Sequence, residues 1–120
     1  MRGHPLTDGR EPALYASMPA IENFVPVTEA MLLNPSPNDW LWYSRTADAQ
    51  RFSPLDQINT QNVKNLKAAF VVQTEVVESM ETAPIVVDGV MYVTTVKTKI
   101  VALDAATGRE LWAHDPYAGP

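Results

Sequence analysis

Between Ala83 and Trp112 the chain reads as four short runs suited to β-strands, separated by breaks whose residue types dictate how the runs connect. The first, Ala83 to Val87, is almost continuously apolar and stops at Asp88-Gly89, the dipeptide that best accommodates the positive φ angles of a two-residue hairpin. The second, Val90 to Val96, is rich in β-branched and aromatic residues that crowd a helix and suit a pleated sheet. A polar break at Lys97-Thr98-Lys99 leads into the third, Ile100 to Leu103. Asp104 to Gly108 then offers a capping carboxylate, small residues and a glycine able to turn left-handed, before Glu110-Leu111-Trp112 opens the fourth. The spacing predicts a four-stranded antiparallel meander, with Asp88 and Asp104 as turn formers whose carboxylates accept backbone N–H bonds.

Strands without polar alternation need cover on both faces, and a single sheet offers only itself. Radial stacking of similar sheets around an axis, the propeller solution, covers both faces at once. A small antiparallel sandwich remains the alternative on spacing alone.

The segment Ala102-Leu103-Asp104-Ala105-Ala106-Thr107-Gly108-Arg109-Glu110-Leu111-Trp112 resembles the tryptophan-docking repeat of the pyrroloquinoline quinone (PQQ) dependent alcohol dehydrogenases, an eight-bladed β-propeller family. Trp112 carries a large flat ring to rest on a neighbour, and Ala102 and Gly108 are small enough to let a ring lie against backbone. The resemblance implies an all-β fold in which residues 82–115 form the first blade. The repeat alone marks a blade and not a function, because non-enzymatic propellers of bacterial outer-membrane assembly carry similar ones.

With 120 residues, 46% of them hydrophobic, and a net charge of −5, the sequence suits a globular, mildly acidic domain. An eight-bladed propeller at about 40 to 45 residues per blade is several times longer, so the expectation is a piece of a larger protein that needs its missing blades as partners. No stripe of Lys and Arg is present to track phosphates, which argues against nucleic acid. The chain has no cysteine, hence no disulfide or thiolate metal site, and no apolar run long enough for a membrane span. The first residues lack the apolar core of a secretory signal, so either a leader lies outside this sequence or the protein stays in the cytoplasm; the resemblance implies a periplasmic location.

Residues 1–37 are proline-rich, with Pro5, Pro12, Pro19 and Pro26 seven apart, but proline in a helix interior is too unfavourable for a heptad coiled coil. An extended tail is expected, with one short helix over Glu29-Ala30-Met31-Leu32-Leu33 capped by Thr28. From residue 38 the propeller region begins. Asp39-Trp40-Leu41-Trp42-Tyr43 reads as a short aromatic strand, followed by the polar Ser44-Arg45-Thr46-Ala47-Asp48 and a Ser53-Pro54 corner. This block, through Gln57-Ile58-Asn59, resembles the tryptophan-rich lead-in of the same dehydrogenases, which implies aromatics buried against the last blade. Thr60 to Leu66 reads as one helical turn capped by Thr60, and residues 66–74 as a strand. By resemblance that strand closes the ring as the outermost member of the final blade, removing exposed edges.

Glu75, Glu78 and Glu81 are spaced by three, but Val76 and Val77 disfavour a helix, and Glu75 and Glu78 read as solvated acids. Glu81 stands immediately before the first strand of the blade. In the resembling enzymes a glutamate in a Glu-x-x-Pro setting helps hold PQQ, and Glu81-Thr82-Ala83-Pro84 matches it. PQQ is itself a tricarboxylate, so contact with Glu81 requires a cation, a bridging arginine or a shared proton; the reading adopted is a hydrogen bond in which a proton is shared. Glu81 is the one cofactor-binding residue the resemblance reaches, with no catalytic residue and no metal ligand in the chain.

His4 and His114 have no ligand set around them, Lys97 and Lys99 flank a turn, and Ser53 has no histidine near it to activate a nucleophile. The resemblance implies Ca²⁺ or a lanthanide, adjacent cysteines and a catalytic aspartate in later blades. It further implies a small alcohol as substrate and a cytochrome c or quinone as electron acceptor. Two competing readings stand beside the enzyme: a binding or assembly scaffold built on the same repeat without cofactor, and a free-standing small β protein whose exposed faces self-associate.

Overall fold

Four strands, β1 (Ile85–Val87), β2 (Val90–Thr94), β3 (Ile100–Asp104) and β4 (Glu110–His114), form one antiparallel sheet in sequence order. The structure is a computed structural model that describes residues 23–74 and 79–118. His4, Pro5, Pro12, Pro19, Glu75 and Glu78 lie outside the described residues, as does the side chain of Lys97.

The connections follow the turn chemistry. Asp88 and Gly89 take φ values of 48° and 76°, as a two-residue hairpin demands. Gly108 takes φ 73° and its N–H donates to the Asp104 carbonyl at 2.8 Å. The Asp104 carboxylate accepts from the N–H of Ala106 and Thr107 and from the Thr107 hydroxyl, at 3.0, 2.8 and 2.9 Å. At the β1–β2 hairpin the expectation fails: the bonding carboxylate is that of Asp39, whose Oδ1 accepts the Asp88 N–H at 3.1 Å, while Asp88 is exposed. The predicted second strand also stops early. The Thr95 N–H donates to the Lys99 carbonyl at 2.8 Å, pulling Val96–Thr98 into a single 3₁₀ turn.

Register divides the side chains cleanly. Ile85, Tyr92, Ala102 and Trp112 are successive cross-strand partners and share one face, with the Tyr92 and Trp112 rings 6.1 Å apart and tilted by 55°. Val86, Met91 and Leu103 share the other, with Val93 and Val101 beside them. The chain's earlier residues lie over both faces without sealing either. Phe24, Val25 and Val27 overhang the first face around an apolar cavity of about 430 Å³, and Phe70, Val72 and Met80 overhang the second around one of about 350 Å³. Ala102 is fully buried, yet among the described residues no large side chain is, and Phe24, Leu66 and Val71 stay 63%, 64% and 82% exposed. A closed globule of this size would bury more.

Upstream, helix α1 (Glu29–Leu33) forms as expected, with the Thr28 hydroxyl accepting the Met31 N–H at 3.3 Å. The helical turn near residue 60 is a 3₁₀ turn over Val63–Asn65. Its N-cap is Asn62, without a side-chain cap bond, and not Thr60; the chain just before it is held by Asn59, whose Oδ1 accepts from the N–H of Gln61 and Asn62. Residues 66–74 pair with no strand here, since a strand exists only where a partner accepts its backbone bonds. The tryptophan-rich segment attaches at β1: Trp40 and Val86 exchange both backbone bonds, at 2.8 and 3.0 Å.

Candidate functional site

One end of the sheet gathers the start of β1, the end of β2, the start of β3 and the end of β4, and Glu81 arrives there. Its neighbour Thr82 donates its hydroxyl proton to the Thr94 carbonyl at 2.8 Å, so the backbone carrying Glu81 is tied to the terminus of β2. Thr95 follows, 6% exposed, with its hydroxyl donating to the Val96 carbonyl at 3.0 Å. Pro84 enters β1 without an N–H, which suits a strand that begins at an edge. Glu81 itself is exposed and bonded to no described residue.

Such an acid suits one contact with a flat polar ligand, offered from an anchored backbone, and does not make a pocket by itself. Among the described residues no cation pairs with Glu81, so contact with a polyanionic cofactor rests on a shared proton or on cations from outside the described residues. Among the described residues no group of three or more His, Cys, Asp or Glu is placed to hold a metal ion. No described helix is long and apolar enough to cross a membrane.

The other singled-out residues sit apart from this end or serve structure. Asp104 closes the opposite end, where the Thr107 hydroxyl and the Thr107 and Ala106 N–H groups hold its carboxyl below the usual carboxylate range. Burial pushes the Tyr92 phenol up. His114 is paired with Ile100 on β4, and Ser53 spends its hydroxyl accepting the Leu55 N–H at 3.3 Å. Trp40 and Trp42 use their indoles to brace backbone: Trp40 Nε1 donates to the Tyr43 carbonyl at 3.4 Å, and Trp42 Nε1 to the Leu32 carbonyl at 2.9 Å. Thr82 is the neighbour of Glu81 that the sequence did not single out; a hydroxyl directly after Glu81 was the available signal, but its acceptor twelve residues away was not.

Comparison with known proteins places these features in one family. Residues 40–119 match the family model described as the PQQ glucose/ethanol/alcohol dehydrogenase β-propeller domain. The dehydrogenase subunit of the quinone alcohol dehydrogenase of Gluconobacter oxydans is 52% identical over 80 residues, covering 67% of this chain and 11% of that protein. The quinohemoprotein alcohol dehydrogenase ADHIIG of Pseudomonas putida superposes with a TM-score of 0.72 at 42% identity, over 75% of this chain and 14% of that one. The quinohemoprotein alcohol dehydrogenase of Comamonas testosteroni superposes with a TM-score of 0.69 at 31% identity, over 92% of this chain and 16% of that one. The chain thus spans between 11% and 16% of these relatives. A blade-forming repeat, two incompletely covered sheet faces and these matches agree: the chain belongs to the PQQ-dependent alcohol dehydrogenase family, and its sheet is a blade of that family's β-propeller.

Proposed function

We propose that this chain forms the opening part of a PQQ-dependent dehydrogenase acting on a small alcohol, with residues 1–37 as an extension, residues 66–74 as the ring-closing strand and residues 82–115 as the first blade. The chemistry PQQ supplies when bound, with Ca²⁺ or a lanthanide beside it, is acceptance of a hydride from an alcohol whose hydroxyl proton a base removes. Glu81 holds the cofactor through a hydrogen bond, and Thr82 keeps that glutamate at the end of the blade by its bond to the Thr94 carbonyl. Metal ligands and the base come from the remaining blades. A cytochrome c or a quinone takes the electrons onward, and the enzyme works in the periplasm.

The observation that carries this reading is Glu81: an exposed acid, anchored through its neighbour, in a chain that matches PQQ enzymes across the same residues. Two preparations test it. The 120-residue chain with PQQ, Ca²⁺ and ethanol gives no dye reduction, whereas the longer polypeptide containing it does. In the latter, Glu81→Gln weakens PQQ binding about tenfold, as loss of one charge-assisted bond would. A longer polypeptide that neither retains PQQ nor oxidises ethanol supports the scaffold reading instead.

A further inference from the structure

Residues 24–27 lie over one face of the sheet without joining it. Phe24, Val25 and Val27 reach across the face that carries Tyr92 and Trp112, yet they keep 63%, 41% and 44% of their surface exposed, and a cavity of about 430 Å³ stays among these side chains. None of residues 24–27 forms a hydrogen bond with another described residue, and Pro26 has no N–H to give. The chain becomes fixed only from Thr28 onward, where the Thr28 hydroxyl caps α1 and the Trp42 indole donates to the Leu32 carbonyl at 2.9 Å. The segment is therefore a strap hinged at α1, laid on the sheet by side chains alone.

A permanent occupant packs a surface at the density of a protein interior and leaves few voids larger than a water molecule. The strap leaves a much larger one. A propeller blade, moreover, is sandwiched between neighbouring blades, and a blade seated on the Tyr92–Trp112 face cannot share it with residues 24–27. We propose that residues 24–27 are a provisional cover, which holds the Tyr92–Trp112 face until the neighbouring blade of the longer polypeptide folds and displaces them. The inference rests on the assignment of the sheet as a propeller blade and is independent of Glu81 and of PQQ. Residues 24–27 are made before the strands they cover, so the strap is at hand as soon as the sheet forms. An apolar face bared at that stage invites association with other chains. Release breaks no ladder of backbone bonds, because the strap forms none with the sheet.

The test uses the longer polypeptide, with photo-reactive benzoylphenylalanine in place of Phe24 and illumination at successive times after dilution from urea. A cross-link to the peptides carrying Tyr92 or Trp112 that forms on early illumination, and no longer forms in the finished protein, supports the proposal. A cross-link that still forms in the finished protein makes the segment a permanent part of the fold and overturns it, as does a cross-link at no time. A second variant, Phe24→Ser combined with Val25→Ser and Val27→Ser, reads the consequence. Recovery of soluble protein on refolding should fall, while the unfolding midpoint of what is recovered stays unchanged. Unchanged recovery, or a lowered midpoint, overturns the proposal. None of these readouts needs bound PQQ or alcohol oxidation, so a failure of the dehydrogenase reading would leave them intact.

Discussion

The ring of Phe70 lies against the bare Cα of Gly108, so close that a Cβ added there would sit 2.7 Å from the Phe70 Cγ. A segment 38 residues upstream has thereby found the glycine of the blade repeat, and the neighbouring ring that Gly108 was expected to admit belongs to residues 66–74. This contact couples the lead-in to the sheet more specifically than the loose cover around it.

Gly108→Ala is expected to destabilise the chain by about 1–3 kcal/mol, since it adds left-handed strain to a collision with the ring. Pairing it with Phe70→Ala removes the collision and leaves the backbone term. Urea melts of the four variants in a double-mutant cycle should therefore show coupling; strict additivity would mean that the two residues do not touch in solution.

Overpacking at the blade centre should be as damaging. Ala102 is 0% exposed and stands between Tyr92 and Trp112 across the strands. Ala102→Leu must push its added carbons between its cross-strand neighbours Tyr92 and Trp112, and a loss of about 1–3 kcal/mol is expected in thermal melts followed by tryptophan fluorescence.

The β1–β2 hairpin depends on an acid 49 residues away. Asp39→Ala leaves the Asp88 N–H without its carboxylate and should lower stability by about 2 kcal/mol. Asp88→Ala at an exposed position loses only a residue tolerant of positive φ and should do less. Equal effects would contradict the assignment of the cap to Asp39.

Asp104 makes stability depend on pH. Its carboxyl titrates below the ordinary range when folded, because hydrogen bonds from Thr107 and Ala106 favour the charged form. Its contribution is therefore present above the unfolded-state value, near pH 4, and is lost as pH falls through the depressed folded value. Denaturation midpoints measured from about pH 5 down to about pH 2 should fall more steeply for the unmodified chain than for Asp104→Asn. An unchanged slope would show that the carboxylate contributes nothing.

Local chemistry made much of this fold legible. Asp88-Gly89 and Gly108 announced their φ angles, β-branched runs announced strands, and Thr28 announced its helix. The errors share a cause. That Asp39 and not Asp88 caps the hairpin, and that Thr82 reaches Thr94, are facts of distant pairing that no local period encodes. Thr60 caps nothing: the turn starts later, at Asn62, and the N–H groups before it go to the Asn59 side chain, which reaches two in succession. Trp40 and Trp42 were visible as anchors, but what they anchor was set by the antiparallel approach of Trp40 to Val86. Glu81 was visible as a candidate because of Pro84 and its place before the first strand, while any ligand groups meeting it from other blades leave no trace in this chain.

The union of Trp40 with Val86 has a consequence for self-association. On the outward side of β1, Pro84 has no N–H to give, the Val86 groups are taken by Trp40 and the Asp88 N–H is taken by Asp39. A second molecule seeking to extend the ladder finds that flank shut, and among the described strands β4 is the edge that remains as a template, so an edgewise polymer built on this sheet stops after two copies joined tail to tail.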